Sequence, residues 1–262
     1  MDLTTNALVL REVSYKESDK ILTVLTPGEG KLTLSARGCR KKGSHIAAAC
    51  QLLVWSEMTL YQYQGRWSVR EAATERTFDG VRADLDRLAL ASYFAEVTET
   101  LCEEGQEENG MLSLILNSLH GLECLPCPPA LVKTAFEWRA MALAGYEPMA
   151  DACAVCGRPD PEEPRLNLSE GVLHCAACRD GVGDGISMPL TPAALAALRH
   201  FLCFGANSVL VLFLARCMNF FNVIESVAYS LILIRIVKPQ LKTSAQTLSS
   251  TVQTVANLMV SS

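Results

Sequence analysis

The chain has 262 residues, a formal net charge of −5 and eleven cysteines. At roughly 100–200 residues per domain, that length predicts two or three domains. With 50% hydrophobic and 19% charged residues, a mainly disordered chain is excluded. The negative balance excludes a globally basic nucleic-acid coat and leaves room for a local basic patch. An odd cysteine count excludes a fully paired disulfide framework within one chain. The start, Met1-Asp2-Leu3-Thr4-Thr5-Asn6, lacks the basic run and apolar stretch of a secretory leader. A cytoplasmic setting is therefore expected, where clustered cysteines more often bind metal than cross-link.

Charge is unevenly spread. Residues 1–80 sum to +2, residues 81–150 to −7, residues 151–200 to −3 and residues 201–262 to +3. No internal repeat of solenoid-like period is present. The expected organisation is a barrel over 1–80, a helical domain over 81–150, a cysteine-rich insert over 151–185 and a C-terminal segment over 186–262.

The N-terminal segment reads as short strands. Ala7–Arg11 and Lys20–Thr26 are β-prone, and Pro27-Gly28-Glu29-Gly30 is a turn signal. Lys31–Ala36 alternates polar and apolar residues, the period of a half-buried strand. A further run, Leu52–Tyr63, turns at Gln64-Gly65 and returns over Arg66–Ala72. About five strands in this length predict a small barrel of the OB type. Between the third and fourth strands lies Arg37-Gly38-Cys39-Arg40-Lys41-Lys42, with four cations and no acid. Such a loop can grip phosphates, or it can be a solvated loop. Trp55, Tyr61, Tyr63 and Trp67 flank it on strands, where packing is the first expectation and base stacking the second.

From Arg82 the period becomes helical. Leu85, Leu88, Ala89, Ser92, Tyr93, Glu96 and Val97 define one helix, and Met111–Leu119 a second. Pro128-Pro129 opens a third, through Val132, Phe136, Met141 and Leu143, with Gly145 as C-cap. The acidic run Glu103–Glu108 between the first two reads as a solvated connection, with a docking site for a basic partner as the alternative.

Cys153-Ala-Val-Cys156 and Cys175-Ala-Ala-Cys178 are two Cys-x-x-Cys pairs separated by eighteen residues, the spacing of a two-knuckle zinc site. Four thiolates saturate zinc and leave no position for water, so a Zn2+ ion here is expected to be structural. A redox dithiol or buried thiols are the other readings. His174 is expected to flank the site. Cys124-Leu-Pro-Cys127 has no matching pair and reads as a loop before a helix. Cys39, Cys50, Cys102, Cys203 and Cys217 stand alone, as small core residues do. No phosphate-binding Gly-x-x-x-x-Gly-Lys-Ser/Thr loop, nucleophile elbow or His-Glu-x-x-His occurs, and the histidines make no catalytic spacing.

The order of these parts resembles a known family. Ala7-Leu8-Val9-Leu10, Glu17–Thr26, Gly30-Lys31-Leu32 and the Ala36–Lys42 loop are similar to the bacterial RecO recombination mediators. So are Leu88–Glu96, Gly145-Tyr146-Glu147-Pro148 and the four-cysteine insert. The resemblance runs to about residue 200. It implies an α+β fold: an N-terminal OB-type β-barrel, a helical middle domain and an inserted zinc knuckle. It also implies a DNA repair role without catalysis or a small-molecule substrate. The family's activity would be binding of single- and double-stranded DNA, annealing of complementary strands and, with RecR, loading of RecA onto DNA covered by SSB. Arg37, Arg40, Lys41 and Lys42 are then the expected phosphate contacts, with Lys31 and Arg66 as lesser candidates. Cys153, Cys156, Cys175 and Cys178 are the expected metal ligands. Two other classes compete: a zinc-ribbon adaptor that never touches DNA, and a membrane-anchored zinc protein.

The resemblance ends at about Phe201. Residues 201–215 carry no charge, and Cys217–Ile234 holds Glu225 alone. Asn219, Asn222 and Glu225 interrupt this stretch and argue against a membrane anchor. Buried helices and a shifted reading frame after about His200 are the other readings of this tail.

Overall fold

The computed structural model describes residues 2–126 and 128–204. The apolar tail with its anchor and frame-shift readings, and Cys127, lie outside the described residues.

Five strands open the chain: β1 (Asp2–Tyr15), β2 (Asp19–Thr26), β3 (Gly30–Ala36), β4 (Trp55–Tyr63) and β5 (Arg66–Arg76). They close in the order β1-β2-β3-β5-β4, with β3 and β5 the one parallel pair. This is the OB-type barrel. Alternation explains its interior: Leu22, Val24, Leu32, Leu34, Met58 and Leu60 point inward and are buried. β1 is longer than its apolar core predicts. Its polar start, Asp2 to Ala7, pairs with Tyr61 to Ser56 of β4, and its polar end, Arg11 to Tyr15, pairs with Thr23 to Asp19 of β2. β4 starts later than expected, at Trp55. Leu53 takes φ 60 and is buried, so the chain turns there before pairing begins.

A short α1 (Asp79–Arg82) leads to α2 (Leu85–Leu101), α3 (Asn109–Cys124) and α4 (Pro129–Leu143). Asp84 caps α2 by accepting from the Asp86 and Arg87 N–H groups. Phe94 of α2 and Phe136 of α4, both fully buried, stack with ring centroids 4.2 Å apart.

The chain divides into two compact units after Phe136. In the second, β6 (Arg165–Asn167), β7 (Val172–His174) and β8 (Ser187–Pro189) form a sheet in the order β7-β6-β8, followed by α5 (Pro192–Phe204). Its core gathers Trp138, Met141, Leu166, Leu173, Leu195 and Leu198. Among the described residues, no helix is long and apolar enough to cross a membrane.

Candidate nucleic-acid interface and metal centre

The basic loop is fixed by its backbone and free at its side chains. The Gly38 N–H donates to the Asp19 carboxylate at 2.8 Å, and the Arg40 N–H to the Ser18 carbonyl at 3.0 Å. Two tight turns follow, Lys41 N–H to Gly38 O and Ser44 N–H to Lys41 O, both 3.1 Å. Cys39 plugs the loop into the barrel core beside Ile46 and Cys50. Arg37, Arg40, Lys41 and Lys42 are all exposed. Among the described residues, Arg40, Lys41 and Lys42 make no ion pair. The Gly38 N–H bond, with Ser18 and the cations Lys16 and Arg37, holds the Asp19 carboxyl below its ordinary range against the opposing effect of burial.

The β1–β2 turn adds two groups to this rim that sequence reasoning missed. Tyr15 pairs with Asp19 in register and is exposed, and the Lys16 ammonium lies 5.2 Å from its ring centre. The end of β1 hid this hairpin, because Arg11-Glu12 breaks the apolar run and only Val13 and Tyr15 alternate beyond it.

Lys31 and Arg66 sit elsewhere. The Lys31 ammonium donates to the Glu99 carbonyl at 2.7 Å, in the last turn of α2, where helix carbonyls favour a cation. Arg66 is exposed at the β4–β5 tip opposite Tyr63. Leu34 pairs with Trp67, so Arg66 lies level with Thr33, four residues back from Arg37. At about 3.3 Å per residue, that offset is roughly 13 Å along the strand.

The acidic run 103–108 is exposed as expected, but it is also pinned to the barrel, which corrects its reading as a simple connection. Glu104 bridges to Gly30 and Lys31, the Gly105 N–H donates to Lys31 O at 3.3 Å, and Thr33 Oγ1 donates to Glu104 Oε1 at 2.9 Å. Glu99 of α2 also pairs with Arg11 at 2.8 Å. The Glu104 carboxylate therefore sits on β3 at Thr33, and the Glu99 carboxylate neutralises Arg11 on β1.

The second unit holds the cysteine cluster. Cys153 and Cys156 flank a turn closed by Gly157 N–H to Cys153 O at 2.9 Å, with Gly157 at φ 71. Cys175 follows β7, and a 3₁₀ turn, Ala176–Gly181, carries Cys178. The four sulfurs lie within 4.8 Å of one another. Cys156 Sγ and Cys175 Sγ are 3.6 Å apart. A tetrahedral ion at about 2.3 Å from each sulfur needs sulfurs about 3.8 Å apart, so the cluster fits a metal ion. Burial raises the Cys153 thiol, but N–H donors from Cys156, Cys175 and Val155 outweigh it and bring it down to about 6. Burial, with the neighbouring Cys156 and Cys153, then pushes Cys175 up to about 12. One thiolate is favoured and further negative charge resisted, the pattern that a bound cation relieves. His174 is buried and engaged elsewhere: its Nδ1 contacts Cys175 O and its Nε2 contacts Ser187 Oγ, both at 2.8 Å. Burial also pushes Cys50 and Cys102 up to about 12, which leaves them inert core thiols.

Fold and site define an OB-barrel protein with a basic rim, a helical body and a closed four-thiol centre. The family model described as "Recombination protein O N terminal" matches residues 1–78, and "Recombination protein O C terminal" matches residues 82–210. A DNA repair protein RecO from Anaeromyxobacter sp. (strain K) is 36% identical over 194 residues, covering 73% of this chain and 75% of the relative. Proteins of the same name from Moorella thermoacetica and Acetivibrio thermocellus are 33% and 28% identical over 178 and 198 residues. The first pairing covers 67% of this chain and 66% of the relative, the second 76% and 78%. The chain belongs to the RecO family, and its role lies in DNA repair and recombination.

Proposed function

We propose that the chain is a recombination mediator that binds single- and double-stranded DNA through the basic rim of its barrel. On this reading it anneals complementary strands and, with RecR, assists RecA loading onto SSB-coated DNA, without catalytic turnover. One observation carries the proposal: Arg37, Arg40, Lys41 and Lys42 project from a loop whose backbone is tied to the β1–β2 turn. Cations without carboxylate partners remain available to phosphates, and each phosphate contact releases condensed counterions. Annealing requires screening of two polyanions while bases stay free to pair, and a rigid loop of long cationic side chains supplies this. Zinc in the Cys153, Cys156, Cys175 and Cys178 centre completes the second unit and supplies charge balance rather than chemistry.

The test is annealing of complementary strands, with and without SSB, by the unaltered chain and by Arg40→Glu/Lys41→Glu. The expected result is annealing by the first and loss by the second. Equal annealing by both removes the loop from the mechanism.

A further inference from the structure

In OB barrels the face of the second and third strands, with the β1–β2 and β4–β5 loops, is the usual seat for nucleic acid. Here that face is closed. The Glu99 carbonyl and carboxylate hold Lys31 and Arg11, Glu104 holds Thr33, and the backbone of 104–105 runs against Gly30 and Lys31. A DNA strand on this face would meet the Glu99 and Glu104 carboxylates beside Arg11 and Lys31.

The β4–β5 tip is open. From Thr59 to Arg70 the sequence holds Tyr61, Tyr63, Arg66, Trp67 and Arg70 and no acid. Tyr63 stands 61% exposed, and Tyr61 behind it is 37% exposed. They lie two residues apart on β4 and so on one face of the sheet. The Arg70 guanidinium covers the Tyr61 ring at 5.2 Å and pairs with Asp2 at 3.0 Å, and Glu71 lies opposite Thr59 at the far end of the patch. Arg66 pairs in register with Tyr63.

We infer that Tyr61 and Tyr63 form a stacking platform for the unpaired bases of single-stranded DNA, with Arg66 at its phosphates and Arg70, held by Asp2, backing the Tyr61 ring. The inference rests on the proposed function, that the barrel binds DNA. Two strand residues span about 6.8 Å, twice the roughly 3.4 Å rise of stacked bases, which leaves room for one base between the rings. Duplex DNA keeps its base faces covered and gains nothing from the rings. The platform therefore selects single strands, whereas the loop at Arg37–Lys42 serves both forms.

The experiment measures binding of the full chain to an oligothymidylate and to a duplex of matched charge, at one salt concentration. Tyr61→Leu and Tyr63→Leu are each expected to weaken oligothymidylate binding on the order of tenfold, with duplex binding unchanged. Tyr63→Phe keeps the ring and should keep the affinity. Equal weakening of both DNAs, or of neither, overturns the platform. Absence of binding to either DNA by the unaltered chain overturns the proposed function and the platform together. Binding that falls with Arg40→Glu/Lys41→Glu but ignores the tyrosine variants overturns the platform alone. Photocrosslinking of a 5-iodouracil strand to the unaltered chain, read by mass spectrometry, needs no variant. Adducts on Tyr61 or Tyr63 support the platform, and adducts confined to other residues overturn it.

Discussion

Gly30 opens β3 at φ 61, a conformation that costs an L-residue about 1–2 kcal/mol. A Cβ placed there would lie 1.6 Å from the Gln106 carbonyl oxygen and 2.6 Å from its carbon. Both are main-chain atoms, so no rotamer change relieves the clash, and the acidic run must lift from the barrel. Lifting breaks the Gly105-to-Lys31 and Thr33-to-Glu104 hydrogen bonds, each contributing about 1 kcal/mol net. Gly30→Ala should therefore destabilise the first unit by about 3–4 kcal/mol in all. The assay is urea unfolding at constant m, combined with hydrogen exchange of the Gly105 amide, which should lose protection. A loss near 1 kcal/mol with Gly105 still protected would refute the argument, since that is the dihedral penalty alone.

Other perturbations follow from the same geometry. Phe136→Ala removes a fully buried ring stacked on Phe94 and should cost about 3–5 kcal/mol by urea unfolding; a cost below about 1 kcal/mol would contradict the packing. Metal analysis of the purified chain should find one ion per molecule, and Cys156→Ser or a strong chelator should unfold the β6–β8 sheet while the barrel signal persists. A purified chain without bound metal would sink the four-thiol centre. Two carboxyls lie below their ordinary range: Asp19 through the Gly38 N–H, and Glu123 through the hydrogen bond from Arg76 at 2.7 Å. Lowered folded values mean that their stabilisation is whole above the unfolded values of about 4 and is lost as pH falls through the folded ones. Urea midpoints measured downward from about pH 6 should decline less steeply in Glu123→Gln than in the unaltered chain; identical slopes would remove Glu123 from the account.

Features that depend on neighbours in sequence were legible before any coordinates. Cys153 and Cys156 share one turn, and so do Cys175 and Cys178, so spacing alone announces the two pairs that meet in the four-thiol cluster. The succession of about five strands followed from turn signals at Pro27–Gly30 and Gln64-Gly65, which punctuate β-prone runs, while the closing pairs β3–β5 and β1–β4 did not. What depends on distant contacts was not legible. Lys31 reads as one more free cation until Glu99, 68 residues away, is found accepting from it. Gly30 reads as a turn glycine, yet it is also required by the approach of Gln106. The ends of β1 are too polar to announce a strand by themselves and are held by pairing with β2 and β4, and Tyr15 went unnoticed with them.

The same contacts explain how an acidic chain can present a basic site. The helical segment 81–150 carries −7, and its Glu99 and Glu104 are seated where β3 begins, on Lys31, Arg11 and Thr33. The cationic loop leaves β3 at the other end, six residues beyond Lys31. At about 3.3 Å per residue the two lie roughly 20 Å apart along the strand. The Debye length at physiological ionic strength is about 8 Å, so the carboxylates are screened before their field reaches the loop. They act on what they touch: the Glu99 carboxylate pairs with Arg11 and the Glu104 carboxylate accepts from Thr33, while among the described residues Arg40, Lys41 and Lys42 make no ion pair. Net charge thus sets the average field, while the seating of one acidic segment decides which cations remain open to a polyanion.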